Sequence, residues 1–305
     1  MRGNTRHVFR LVLSVLFILF LADPFFPQAP SPDAGLIKDF KWRNIGPANM
    51  VGRISAFTAL DNDFTHVLVA GASGGVWKSV NAGTTWEPIF ERYGTSSIGD
   101  VAFFQKDPNI NWVGTGEECV RNSVEWGDGV YKSTDGGKTF VRMGLETTQT
   151  IGKVLTHPTD PDIVYVSGAG HPWGYTGERG LFKTADGGKT WTKLGGGLPN
   201  DGKTGAMDLV MDPRNPDVLF VTFWQRLRQP WRFDSGGPNG GIYKTADGGK
   251  TWTKLTKGLP PGDVGRIGIA ISRSKPDVLM AVVEHAFQPR PQIQTPQGPQ
   301  ENPDY

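Results

Sequence analysis

The chemistry this sequence could perform rests on four carboxylates and a set of aromatic side chains beside charges. Glu117 and Glu118 stand together in the stretch Gly116-Glu117-Glu118-Cys119-Val120-Arg121-Asn122, with Trp126 and Asp128 just beyond. Asp100 and Asp208 occupy matched places ahead of Pro108 and Pro216, and Lys153 fills the same column ahead of Pro161. Arg53 and Arg266 fall just before that column in their own segments. Two carboxylates about 5–10 Å apart across a glycosidic bond can serve as acid and base or as acid and nucleophile. Glu117, Glu118, Asp100 and Asp208 are therefore candidate catalytic residues of a glycoside hydrolase, although no spacing rule selects a pair. The competing reading has Asp100, Lys153 and Asp208 neutralising one another around channel water.

A second group consists of Arg121, Trp126, His171, Trp173, Tyr175, Trp224, Arg226 and Trp231. Sugar rings stack on Trp and Tyr faces while their hydroxyls take polar side chains, so these are candidate ligand-binding residues. In the alternative reading the Trp rings cap the ends of structural units. No metal-ligand spacing, phosphate loop or Ser-His-Asp arrangement stands out among the five His, so neither a metal nor a cofactor is expected. Cys119 is the single cysteine. It excludes an internal disulfide and reads as a small buried hydrophobe.

One twelve-residue phrase positions all of these residues. It reads GVWKSVNAGTTW at 75–86, GVYKSTDGGKTF at 129–140, GLFKTADGGKTW at 180–191 and GIYKTADGGKTW at 241–252. Its anchors, Asn81, Asp135, Asp186 and Asp247, recur at roughly 50 to 60 residues, the mark of a repeat architecture. Each copy opens with the period-two alternation of a strand. The Asp-Gly-Gly that follows is hairpin chemistry: the aspartate accepts backbone N–H groups and the glycines reach positive φ without strain. The four anchors are therefore expected to be turn locks, and Lys132, Lys183 and Lys244 solvated strand positions.

The third repeat shows the whole unit. It has a first strand at 151–157, a turn, an apolar second strand at 163–167, a loop at 168–179, and then the hairpin with strands three and four. The same order recurs at 101–116, 209–224 and 269–284. Four antiparallel strands per period make a propeller blade. The fold class is thus all-β, with four full blades and a fifth that starts at Arg266 and stops after its second strand. An unclosed ring exposes strand edges, so the expectation is an incomplete propeller from the front of a longer protein. Alternatively, a strand around 40–45 completes the fifth blade. Loops between strands two and three share one face, which carries Glu117, Glu118, the aromatic group and Glu284-His285, while the repeated turns lie on the other. Asp100, Lys153 and Asp208 lie along the inner strands, which line the central channel.

The phrase S/T-x-D-x-G-x-T-W/F resembles the Asp-box, or BNR repeat, of sialidases, xyloglucanases and sortilin-type receptors, over roughly residues 40–287. The resemblance implies a β-propeller with the box between strands three and four of each blade, and no catalytic role for the box itself. The Arg-Ile-Pro of sialidases is absent. Ser73 stands where xyloglucanase-type enzymes carry an aspartate before the Gly-Gly entering the first box. WRNIGPANMVGRI at 42–54, VGTGEE at 113–118, GDGVYKSTDGGKTF at 127–140 and MDPRNPDVLF at 211–220 resemble exported bacterial proteins with a sortilin (Vps10)-like N-terminal propeller. The function implied is non-catalytic binding of a protein, peptide or glycan on the loop face. The alternatives are a glycoside hydrolase acting on a plant-type polysaccharide, and a propeller similar to a photosystem assembly factor.

Composition sets the remaining bounds. The 305 residues are 37% hydrophobic, with 41 Gly and 23 Pro, enough for a large core with many turns. A net charge of +2 offers no electrostatic case for nucleic acid. Residues 1–22 join Arg2, Arg6 and Arg10 to an apolar run from Leu11 to Leu21, which reads as a signal peptide or signal anchor. The expected location is periplasmic, secreted or cell-surface, with membrane attachment only if that segment is uncleaved. A Pro-rich linker (23–38), the propeller (39–287) and a Pro/Gln-rich tail (288–305) complete the expected organisation.

Overall fold

The repeated phrase folds the same way in every copy because one buried hydroxyl organises it. The computed structural model describes residues 53–119, 121–175, 178–285, 292–295 and 298–301. The expected targeting segment, the linker and the alternative closing strand around 40–45 lie outside these residues. In the third copy, Thr184 is 1% exposed. Its hydroxyl donates to Asp186 Oδ1 at 2.7 Å and accepts from Gly188 N at 2.9 Å. Asp186 in turn accepts from Thr190 N at 2.9 Å and Thr190 Oγ1 at 2.6 Å. Gly187 and Gly188 have φ of 72° and 97°, a region costly for residues with a Cβ. Ser133–Asp135 and Thr245–Asp247 repeat the network. Asn81 supplies an amide oxygen in place of a carboxylate oxygen.

The fold is an all-β propeller of antiparallel blades. Blade one is β1 (Ile54–Ala59), β2 (Val67–Gly71), β3 (Gly75–Ser79) and β4 (Glu87–Pro88). Blade two is β5 (Ile98–Phe104), β6 (Asp107–Thr115), β7 (Val130–Ser133) and β8 (Val141–Arg142). Blade three is β9 (Ile151–Thr156), β10 (Val164–Gly168), β11 (Gly180–Thr184) and β12 (Thr192–Lys193). Blade four contains β13 (Thr204–Asp212) and β14 (Asn215–Gln229), the latter extended into an arm with β15 (Arg232–Ser235). It closes with β16 (Gly241–Thr245) and β17 (Thr253–Leu255). Each of these sheets runs in sequence order from inner to outer strand, with the arm branching from β14. The fifth unit, β18 (Val264–Ile271) and β19 (Leu279–His285), is a two-stranded sheet.

Two segments differ from the sequence expectation. Residues 224–232, read as a loop, form the arm: Arg226 through Gln229 pair with Ser235 through Arg232. The pairing lets the backbone bond itself beyond the sheet edge. The Pro/Gln-rich tail, where no further strand is expected, contains a hairpin of β20 (Gln292–Thr295) and β21 (Gly298–Glu301).

The core lies between blades rather than at one centre. Leu68 and Ala70 of blade one meet Ile98, Val101 and Val113 of blade two. Trp112 and Val130 meet Ile151, Val164 and Phe182. Leu181 meets Leu209, Val221 and Phe223, and Ile242 meets Ile267 and Ile269. Each fully buried aliphatic side chain contributes about 1.5–3 kcal/mol, so every junction is stabilised locally. Near the axis the inner strands approach so closely that a Cβ on Gly99 would come within 1.9 Å of Ile151 O.

Lys132 and Lys183 are not solvated as expected, and Lys78 of the first copy behaves as they do. Lys78 Nζ donates to Gly136 O at 2.7 Å, Lys132 to Gly187 O at 3.2 Å and Lys183 to Gly248 O at 3.1 Å. Each reaches the turn of the following blade, because packing places that carbonyl above its own strand. Lys244, on the last full blade, is exposed.

Replacing Thr184 by Val removes the buried hydroxyl at nearly constant shape and leaves Gly188 N without its acceptor. A stability loss of about 1–3 kcal/mol is expected in urea unfolding. Hydrogen bonds from Thr139 and Ser133 hold Asp135 at about 2, below the ordinary value of 3.8, and Asp186 and Asp247 are lowered in the same way. Their folded-state values are depressed, so their contribution is present above about pH 4 and is lost as pH falls toward 2. An acid titration of Asp186→Asn against the parent chain checks this: the variant loses less stability across that window.

Candidate functional site

Residues 116–119 and 121–122 form a strap on the loop face of the propeller that is gripped by arginines from other blades. Arg53, just before β1, donates to Glu117 through Nε at 2.9 Å and Nη2 at 2.5 Å. Glu117 is fully buried, and its backbone N–H also bonds Ser97 Oγ at 2.9 Å. Arg266, on β18, pairs with Glu118 and donates to Cys119 Sγ at 3.3 Å. From blade four, Arg226 Nη1 donates to Glu118 O at 3.2 Å, and Arg228 donates to Asn122 Oδ1 at 2.8 and 2.5 Å. A segment of one blade is thus held by blades one, four and five. Cys119, expected to be a buried hydrophobe, is half-exposed and takes a charge-assisted bond instead.

Beneath this strap lies a cavity of about 280 Å³, with Asp100, Glu118, Lys153, Asp208 and Arg266 in its walls. Asp100, Lys153 and Asp208 do converge on one space, because inner strands line the axis. Sequence order alone placed Glu118 on the loop face, yet the arginine grip turns its side chain into this cavity. Asp100 is held by Lys153 Nζ at 3.2 Å and Val154 N at 2.7 Å. Asp208 accepts from Leu209 N at 2.9 Å and Ile269 N at 2.8 Å. Burial pushes the Glu118 carboxyl up to about 7; Arg266 opposes the shift, and Asp100 and Asp208 reinforce it. Burial also raises Asp100 against the pull of Lys153. Lys153 is raised chiefly by Asp100.

The aromatic set separates into an inner and an outer group. Trp126 is 55% exposed and Trp231, at the tip of the arm, 80%. Trp126 faces His171 with ring centroids 5.8 Å apart and borders a groove of about 550 Å³ whose walls include Glu125, Asp128, Glu146 and Gln149. Arg121 is exposed; His171, Trp173 and Tyr175 are half-buried. Trp224 packs inside against Ala169 and Met207, its Nε1 bonded to Ser235 Oγ at 2.9 Å. Arg226 is fully buried, with its Cζ 5.5 Å from the Trp224 ring centroid. These two therefore support the face from within instead of presenting a surface to solvent.

Sequence reasoning missed Arg179. It is 3% exposed and donates to Ala169 O, His171 O and Gly174 O at 2.7–2.8 Å, which shapes the loop carrying His171, Trp173 and Tyr175. The signal available was a lone arginine ahead of the glycine that opens the repeat. Burial lowers the His171 imidazole, aided by Arg179 and Arg226. Glu284 accepts from Arg266 N and Ser235 Oγ, both at 2.8 Å, tying the arm to the fifth unit. Among the described residues, no group of three or more His, Cys, Asp or Glu side chains is placed to hold a metal ion.

Comparison with known proteins places this geometry in a family. The family model for sortilin, neurotensin receptor 3, matches residues 128–285, just over half of the chain. The chain belongs to the Sortilin-Vps10 family. This Sortilin-Vps10 chain is also 26% identical over 229 residues to a xyloglucanase of Paenibacillus sp, covering 68% of this chain and 21% of that protein. It is 24% identical over 294 residues to the xyloglucanase Xgh74A of Acetivibrio thermocellus, covering 86% and 32%. The crystal structure of an ancestral GH74 enzyme superposes with a TM-score of 0.60 at 21% identity, covering 77% of this chain and 28% of that one. The chain therefore spans about a fifth to a third of the length of these relatives. Ser73 is exposed on the β2–β3 turn.

Glu118 has a folded-state pKa raised above the ordinary 4.5. Its contribution is fully present below about pH 4.5 and is lost as pH rises to about 7. Measured by urea unfolding, the stability of the parent chain relative to Glu118→Gln should fall across that window. The slope reaches at most about 1.4 kcal/mol per pH unit and flattens above pH 7.

Proposed function

We propose that this propeller is an exported module that binds a polysaccharide on its loop face without cleaving it. The observation that carries the reading is the Trp126 groove. A half-exposed indole beside His171 borders a space walled by Glu125, Asp128 and Glu146, which suits a sugar ring stacked flat with hydroxyls donating to carboxylates. Trp231 on the arm offers a second exposed ring on the same face. The relatives named xyloglucanases support a polysaccharide as the ligand class. The basic and apolar start of the sequence supports export.

The same geometry argues against turnover. Glu117 is consumed by Arg53, Asp100 by Lys153 and Val154, and Asp208 by two backbone N–H groups. None of the three lies in the walls of the Trp126 groove. One observation favours the second reading, a glycoside hydrolase: Glu118, raised to about 7, is suited to hold a proton near neutral pH, and Asp208 shares its cavity.

Affinity electrophoresis of the full chain in gels containing xyloglucan or other soluble polysaccharides separates the two. Retardation is expected with at least one of them, and Trp126→Ala should weaken it about tenfold, equivalent to ~1.4 kcal/mol, with no release of reducing ends. Reducing-end release that Glu118→Gln abolishes establishes the hydrolase. Absence of any retardation removes the binding reading.

A further inference from the structure

Two arginines behind the loop face are buried without a carboxylate. Arg226, on β14, is 0% exposed, and Arg179, just before β11, is 3% exposed. Among the described residues, all of their hydrogen bonds go to backbone carbonyls. Arg179 gives Nη1 to Ala169 O and Nη2 to His171 O and Gly174 O, and Arg226 gives Nη1 to Glu118 O at 3.2 Å. Arg226 Nε, Arg226 Nη2 and Arg179 Nε are enclosed and have no hydrogen-bond partner. Neither arginine forms an ion pair with a described Asp or Glu. Glu118, whose charge Arg226 feels, is taken by Arg266.

The two side chains flank one stretch of chain. Ala169 O and His171 O receive Arg179, while Pro172 O receives the backbone N–H of Arg228 at 3.1 Å, two residues along the strand from Arg226. Trp224, whose ring centroid lies 5.5 Å from Arg226 Cζ, packs against Ala169. Burial draws Arg226 down to about 9, with the charge of Arg179 the next cause. Burial draws Arg179 down to about 10. Both therefore stay charged at neutral pH. Two buried like charges need a partner of opposite sign, and a water molecule brings none.

We propose that Arg226 and Arg179 form, beside residues 169–172, an internal binding site for a small monovalent anion of the chloride class. The three unpartnered nitrogens supply the N–H donors that an anion accepts from. Enclosure selects for size. An acid group carried on a larger molecule cannot reach donors that solvent does not touch, whereas a monatomic ion needs only a local opening. The anion offsets the repulsion between the guanidiniums and so steadies the loop that carries His171, Trp173 and Tyr175. The site is separate from the Trp126 groove, whose walls include neither arginine.

The test follows thermal unfolding of the full chain as chloride replaces gluconate at constant ionic strength. The melting temperature should rise saturably, by about 2–4 °C. Arg226→Gln should abolish the rise, and Arg226→Lys, which keeps the charge, should retain part of it. No saturable rise, or an undiminished rise in Arg226→Gln, overturns the proposal. If Arg226→Gln does not fold, bromide decides on the parent chain. A crystal grown in bromide should show anomalous scattering within hydrogen-bonding distance of Arg226 Nε or Nη2. Bromide bound only elsewhere, or water alone at those nitrogens, overturns the proposal equally.

Discussion

A buried hydroxyl hydrogen-bonded to an aspartate is the constraint on which the rest of this structure depends. Ser133, Thr184 and Thr245 are each 1–2% exposed, so their hydroxyls must find partners inside the turn. The partner they find is a side chain that also bonds backbone N–H groups further on. A turn closed in this way has one shape, and one shape presents one carbonyl in one direction. That carbonyl receives the lysine of the preceding blade, so a local network becomes a junction between blades. Apolar burial supplies most of the stability at each junction, while the turn determines how the blades meet.

The loop face obeys a different logic. There the repeat is broken by inserted residues, and the insertions are held by charge. Glu117 is buried and paired with the exposed Arg53, and Glu118 stands between Arg266 and two aspartates. A buried charge is costly unless paired and hydrogen-bonded, so the strap of residues 116–119 and 121–122 holds its position only while the arginines of blades one, four and five hold theirs. The strap couples distant blades and roofs the central cavity. The open groove beside Trp126 is left outside it.

How much of this was legible in the sequence depends on the range of the interaction. The blades were readable because their determinants are local: alternation in β7 and β11, Asp-Gly-Gly at the turns, and the recurrence of the phrase. The convergence of Asp100, Lys153 and Asp208 was also readable, since an aligned column on inner strands must face the axis. The arm of β14 and β15 was not, because Trp224 to Trp231 is an insertion without a counterpart in the other repeats. Nor was the cross-blade role of the phrase's lysines, since a lysine on a strand gives no indication that a carbonyl from more than fifty residues away will lie above it.

The sequence by itself determined the fold class, the number of repeated turns and the residues that lock them, because backbone preference and hydrogen bonding within a dozen residues suffice for those. Only the tertiary structure decided which functional candidates are surface and which are support. Trp126 and Trp231 reach solvent while Trp224 and Arg226 are enclosed, and Glu118 turns into the cavity instead of standing on the face. Burial and charge pairing across blades are sums over residues far apart in the chain. They have no value until the propeller has brought those residues together.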